Sequence, residues 1–403
     1  MLSLNNHRAF FRSLKETLTA YSFDVLGLFA GFMVASQLNV FQLSPWAIAI
    51  YPAIVSAKGV IGGLLSGRLS TALHLGTIHP RMFRNTQYFY HLIRALIVVT
   101  LATSVMMSMV SLFFGLAFWG ITLAEFPEIL LNVIATMSIG LTLTIVTMKV
   151  AFVTFKRKLD PDVIVYPLMS TIADIFITFC YILVLNLFFL TNLGKYTLII
   201  IGILHVVVTV FFLVKYYKNG DFAKTLKESL LTMVFVAVIV NVTGSVLKQV
   251  SLLVEDRKEV YTIYPAMIDM TGDVGAVIGS TATTKLALGT IKPTLLSIKQ
   301  HTTQIFSAWI ASTIIAVFLA IISLLINGIL TISALINLAS LLLITNMIAG
   351  ASITMLAYGI SIVTFKKGLD PDNFVIPVES SFADSLTSIS LLIAIVLLGQ
   401  SAG

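Results

Sequence analysis

FKRKLDPDVIVYPLMSTIAD (155–174) and FKKGLDPDNFVIPVESSFAD (365–384) are two versions of one stretch, 210 residues apart. Each sets an aspartate, Asp174 or Asp384, inside an apolar run that no soluble surface would carry. Taking a carboxylate into a bilayer is costly, so its recurrence at matched positions points to a paired polar site.

The duplication reaches well beyond this stretch. SLKETL (13–18) returns as TLKESL (225–230), YPAIVSAKG (51–59) as YPAMIDMTG (264–272), and GLTLT (140–144) as GASIT (350–354). Four landmarks in one order define an internal repeat. Each copy holds five apolar stretches, and an unmatched one near 195–216 separates them. An odd number of spans would invert the second copy, and the extra span restores its direction. A pseudo-two-fold axis along the membrane normal is therefore expected, with equivalent residues facing each other across a central path.

Composition sets the class. Apolar residues make up 58% of the chain and charged ones 11%, which excludes an ordinary soluble domain. The fold expected is an all-α polytopic membrane protein of about eleven transmembrane helices. It comprises an amphipathic N-terminal segment (1–19), a first five-helix repeat (20–190), a connecting helix (191–220) and a second repeat (221–403). With a cytoplasmic N-terminus the inner loops collect sixteen Lys and Arg residues and the outer loops four. That asymmetry obeys the positive-inside rule and puts the C-terminus outside. The net charge of +7 then reports topology and gives no reason to expect a nucleic-acid partner. The lipid bilayer, in a plasma membrane, is the expected surrounding. The single cysteine, Cys180, lies in a span, so disulfides and thiolate metal clusters are excluded.

Asp174 and Asp384 lead the candidate metal ligands. Each follows a proline by seven residues, Pro167 or Pro377, which loosens the helix and frees a carbonyl. Ser170 and Thr171 precede Asp174, and Ser380 and Ser381 precede Asp384, by four and three residues, so hydroxyls and carboxylate share a face. The Asp-Pro-Asp segments read first as helix starts capped by Asp160 and Asp370. Asp162 and Asp372 are further candidates for a cation-attracting inner mouth. The second span is rich in glycine and differs between copies. Lys58 aligns with Thr271, Val60 with Asp273, Ser56 with Asp269, and Met169 with Glu379. The second copy is thus richer in acid, which adds Asp273 and Glu379 to the candidate ligands. Lys58 and Asp269 become candidate gating or tuning residues, with Lys58 a possible partner of Asp273 or Glu379. Asp24, whose counterpart is Val236, reads as interfacial. The six histidines lack zinc-ligand spacing, and no phosphate loop or nucleophile motif occurs. Carboxylates, hydroxyls and carbonyls are hard ligands that suit magnesium, calcium or manganese.

LDPDNFVIPVESSFADSLT (369–387), YPAIVSAKG (51–59) and SGRLSTALHLG (66–76) resemble the membrane domain of MgtE magnesium transporters. They resemble still more solute carrier family 41, in which two such five-helix domains are fused. The resemblance implies magnesium as the transported ion, permeation along an axis between the halves, and pore aspartates at Asp174 and Asp384. It implies no prosthetic group and no enzymatic activity. This chain departs from the family's frequent Gly-Asn in the second helix, having Gly59-Val60 and Gly272-Asp273. The alternative within transport is a sodium- or proton-coupled exchanger exporting divalent cations. A magnesium-dependent membrane enzyme is a third reading, disfavoured because the acids are split between symmetric halves. Fused repeats permit a monomer acting as an internal pseudo-dimer, and also a homodimer.

Overall fold

A computed structural model describes residues 2–157, 161–367 and 372–399, which are helical almost throughout with no strand among them. In the first half the helices are α1 (Leu2–Tyr21), α2 (Gly27–Ser36), α3 (Leu38–Phe41), α4 (Pro45–Ala49), α5 (Tyr51–His74), α6 (Gln87–Phe114), α7 (Phe126–Gly140), α8 (Thr142–Lys156) and α9 (Pro161–Leu190). They are followed by α10 (Asn192–Tyr216), α11 (Gly220–Val254), α12 (Lys258–Ala287), α13 (Thr302–Ile326), α14 (Ile332–Lys366) and α15 (Asp372–Leu397). Among the described residues eight helical stretches are long and apolar enough to cross a membrane, the first of them Phe10–Ser36. The protein is an all-α polytopic membrane protein.

Chain ends and breaks follow local chemistry. Thr86, Thr191 and Thr331 each stand in extended backbone before a helix and accept a hydrogen bond from the amide three residues on, at the starts of α6, α10 and α14. Pro52 and Pro265 occupy equivalent positions in the two repeats. Helix α12 runs through Pro265, whereas the first copy breaks between α4 and α5 just before Pro52. A proline donates no amide hydrogen, so both copies loosen the preceding turn. The first span is also interrupted, by a 3-10 turn at Ser22–Leu26 between α1 and α2. Its counterpart α11 is one continuous helix.

The chain divides into two compact units that do not follow the order of the sequence. One comprises Met1–Ser36 with Gln249–Gly403, the other Gln37–Lys248. The first span of the first repeat therefore packs among the helices of the second repeat, and α11 packs largely among those of the first. In the first unit α2 lies so close to α12 that a Cβ on Gly31 would collide with the Thr262 carbonyl. Ser13 and Ser307 hydroxyls meet at 2.7 Å and tie α1 to α13. In the second unit a Cβ on Gly244 would collide with the Ala49 carbonyl. Gly244 and Ala49 each stand 213 residues from Gly31 and Thr262, so this is the same contact repeated. Ser111 donates to Asn241 Oδ1 at 2.7 Å and Trp119 Nε1 to Ser245 Oγ at 2.8 Å, holding α11 further.

The connecting helix α10 carries a narrow buried stripe of Gly194, Leu198, Gly202, His205 and Thr209. Its other faces expose Ile199, Ile200, Ile203, Val207 and Phe211, as a lipid-facing helix does. His205 is its polar anchor, with Nδ1 2.6 Å from Ser138 Oγ and Nε2 3.0 Å from the Ile97 carbonyl. Arg94, a residue that could reach headgroups, instead lies over the Tyr216 ring at 4.4 Å.

Gly31→Ala and Gly244→Ala should each destabilise the purified protein by about 1–3 kcal/mol, the usual cost of overpacking. Gly62→Ala, whose added methyl would meet nothing within 4 Å, should not. Thermal unfolding in detergent, compared among the three variants, checks the contrast.

Candidate cation site

Helices α9 and α15 carry the two lead aspartates, and the surroundings of both are built alike. In the second unit Thr178 donates to the Asp174 carbonyl at 2.6 Å. Its Oγ1 lies 2.9 Å from the Tyr51 hydroxyl at the start of α5. The threonine proton is committed to the carbonyl, so Tyr51 is the donor of that second bond. In the first unit Ser388 donates to the Asp384 carbonyl at 2.7 Å, and the Tyr264 hydroxyl stands 2.7 Å from Ser388 Oγ. The same tyrosine–hydroxyl–carbonyl chain thus fixes the helical turn of each aspartate to the second span of its own unit. Thr178, Ser388, Tyr51 and Tyr264 are all buried. A polar chain closed on itself in this way leaves no donor unsatisfied in an apolar interior. Asp174 and Asp384 are themselves half-buried.

The tyrosines open the YPA motifs that mark the repeat, but nothing in the sequence distinguished them from ordinary interfacial aromatics. The signal was their recurrence together with hydroxyls at 178 and 388.

The remaining candidates are distributed unequally. Thr171 is half-buried on α9. Asp162 and Ser170 fall on α9, and Asp372, Glu379, Ser380 and Ser381 on α15, with side chains outside the described residues. Asp160 and Asp370 also lie outside them. Asp269 and Asp273 lie on α12 in the first unit, half-buried by side chain, with Asp269 Oδ2 occluded and without a hydrogen-bond partner. Asp269 is near enough to Asp384 and Asp273 to feel both charges. Lys58 is 1% exposed on α5 in the second unit, its Nζ without a hydrogen-bond partner among the described groups. Its stem runs beside Gly140, 3.9 Å from where a methyl there would stand.

Asp24, read from the sequence as interfacial, is 6% exposed and enclosed within the first unit, with Oδ2 lacking a hydrogen-bond partner. It lies near Asp273 and Asp269. Sequence alignment of the repeats hid this, because it set Asp24 against Val236 and could not show which helices surround it. Among the described residues no three His, Cys, Asp or Glu side chains converge tightly enough to hold a bare metal ion.

A duplicated helical membrane scaffold thus repeats, in each unit, the same support for the helical turn that carries an aspartate. A family model for MgtE, the divalent cation transporters, matches the chain twice, over residues 51–184 and 264–394. The chain belongs to that family. No curated protein matches it. Among solved structures, a crystal structure of the eukaryotic MATE transporter AtDTX14 aligns over 97% of this chain and 96% of its own, at 14% identity and a TM-score of 0.37. That likeness is too low to carry an argument.

Tyr51→Phe and Tyr264→Phe remove one hydroxyl each and leave the ring packing. Loss of a group that orients a ligand's support should lower divalent-cation transport by about tenfold. Ion flux into liposomes, normalised to the amount of folded protein, checks it, and comparable losses in the two variants are expected.

Proposed function

We propose that this protein moves magnesium across the membrane, with Asp174 and Asp384 as the principal ligands. The observation that carries the reading is the repeated support of these two aspartates, one in each unit, by the same tyrosine–hydroxyl–carbonyl chain. Membership of a divalent-cation transporter family supports the class of cargo. Hard oxygen ligands suit magnesium, which gives up its water reluctantly. The ion is therefore held through its hydration shell, and selection rests on hydrated size and charge. Thr171, with Ser170, Ser380 and Ser381, supplies hydroxyl acceptors beside the carboxylates. Asp162 and Asp372 attract cations at the inner mouth. Lys58 and Glu379 tune the charge met by the ion. In this reading the N-terminus is cytoplasmic, the C-terminus outside, and the host membrane the plasma membrane.

Magnesium flux into liposomes holding the full chain tests the proposal, with and without a sodium or proton gradient. Asp174→Asn and Asp384→Asn should each cut flux by about tenfold or more while the protein remains monodisperse. Undiminished flux in the double variant overturns the assignment. A flux that appears only with a sodium or proton gradient turns the uniport into an exchanger without moving the site.

A further inference from the structure

The acid-rich copy of the repeat carries an arrangement that the other copy lacks. On α12, Thr262, Ala266, Asp269 and Asp273 fall at spacings of four, three and four, so they share one helical face. On the first span Asp24, Gly27 and Gly31 share a face in the same way. The two faces meet in antiparallel register. Gly31 lies against the Thr262 carbonyl, and a Cβ on Gly27 would stand 3.0 Å from the Ala266 backbone and 3.2 Å from Asp269 Oδ2. One step further along, the register brings Asp24 to Asp269 and Asp273.

Asp24 reaches this place from outside the helices that carry the other acids. It enters on the 3-10 turn between α1 and α2, and only the enclosure of the first span by the second repeat puts it there. Irregular backbone at membrane depth persists where protein surrounds it or where it lines a polar site. Asp24 is 6% exposed, and its Oδ2 has no hydrogen-bond partner; Asp269 Oδ2, occluded beside it, has none either. Buried carboxylate oxygens without a donor are costly. Three acids on facing surfaces add mutual repulsion. A bound cation removes both costs.

We propose that Asp24, Asp269 and Asp273 form a second cation site, contained within the first unit, that binds a divalent cation with part of its hydration shell retained. Among the described residues no three His, Cys, Asp or Glu side chains stand close enough to hold an ion directly, so in this proposal the ion is reached through its own water. The charge of the site favours a dication over a monocation. The other unit cannot build the equivalent site. At the 213-residue offset of the repeated glycine contact, Ala237, Ser56 and Val60 replace the three acids. The two copies of the repeat therefore bind unequal numbers of cations.

This inference rests on the reading of the chain as a divalent-cation transporter, and binding separates the two. The full chain in detergent is titrated with manganese, a paramagnetic stand-in for magnesium, and bound metal is counted by electron paramagnetic resonance. Asp24→Asn and Asp269→Asn should each remove one class of bound manganese or weaken it by about tenfold, and magnesium should displace that class from the unchanged protein. Asp174→Asn, on the other unit, should leave it intact even where flux is lost. Manganese binding unchanged in both Asp24→Asn and Asp269→Asn overturns the site. So does displacement by sodium at concentrations where magnesium fails. Should either variant misfold, anomalous scattering from manganese-soaked crystals of the unchanged protein decides: a peak beside Asp24 supports the site, and its absence there overturns it. Loss of flux in Asp174→Asn bears only on the transport reading, so neither failure is mistaken for the other.

Discussion

The close approach of a glycine to a proline-loosened turn is the constraint on which the rest of the structure depends. In one unit Gly31 meets the turn at Tyr261 and Thr262, four and three residues before Pro265. In the other Gly244 meets Ala49, three residues before Pro52. Proline strips a hydrogen bond from that turn and exposes a carbonyl. Inside a membrane an exposed carbonyl must be buried in protein, and only a residue without a side chain lets a neighbouring helix come close enough to cover it. The first span of each repeat is therefore not a replaceable outer helix. It seals the weakest turn of the second span, and in doing so decides what lies against the polar face just beyond it.

The aspartates depend on the same second span from its other side. Tyr51 and Tyr264 lie one residue before the two prolines, and each sends its hydroxyl to the turn that carries Asp174 or Asp384. A helix bearing a buried carboxylate would otherwise be free to rotate the charge toward lipid or toward a competing donor. The hydrogen bond to the aspartate's own carbonyl holds that turn of the helix in place.

Much of this was legible in the residues, for definable reasons. Hydropathy and the paired motifs are local properties, so the helical membrane class and the duplication could be read directly. What could not be read was which copy each first span packs against. The repeat establishes that residues 13–31 and 225–244 are equivalent, but equivalence is silent about partnership, and Gly31 fits either second span. The surroundings of Asp24 are hidden from the sequence for that reason: its neighbours lie more than two hundred positions away. The tyrosine hydroxyls escaped notice because a tyrosine near a span end is ordinary, and its partner hydroxyl lies on a different helix.

Duplication followed by exchange of the first span has a consequence for how the halves diverged. Once each unit contains helices from both ends of the chain, a charge placed in the first span acts on the second repeat, and a charge in α11 acts on the first. The acids are gathered accordingly, with Asp24 joining Asp269, Asp273 and Asp384 in one unit. The other unit holds Asp174 with a buried lysine on the neighbouring second span. Both units retain the glycine contact and the hydroxyl chain, which are the parts that hold the backbone. They differ in the residues that set the local charge. The frame of the repeat was thus fixed by packing, which tolerates little change, while its electrostatics were free to part into one acid-rich half and one that carries its own cation.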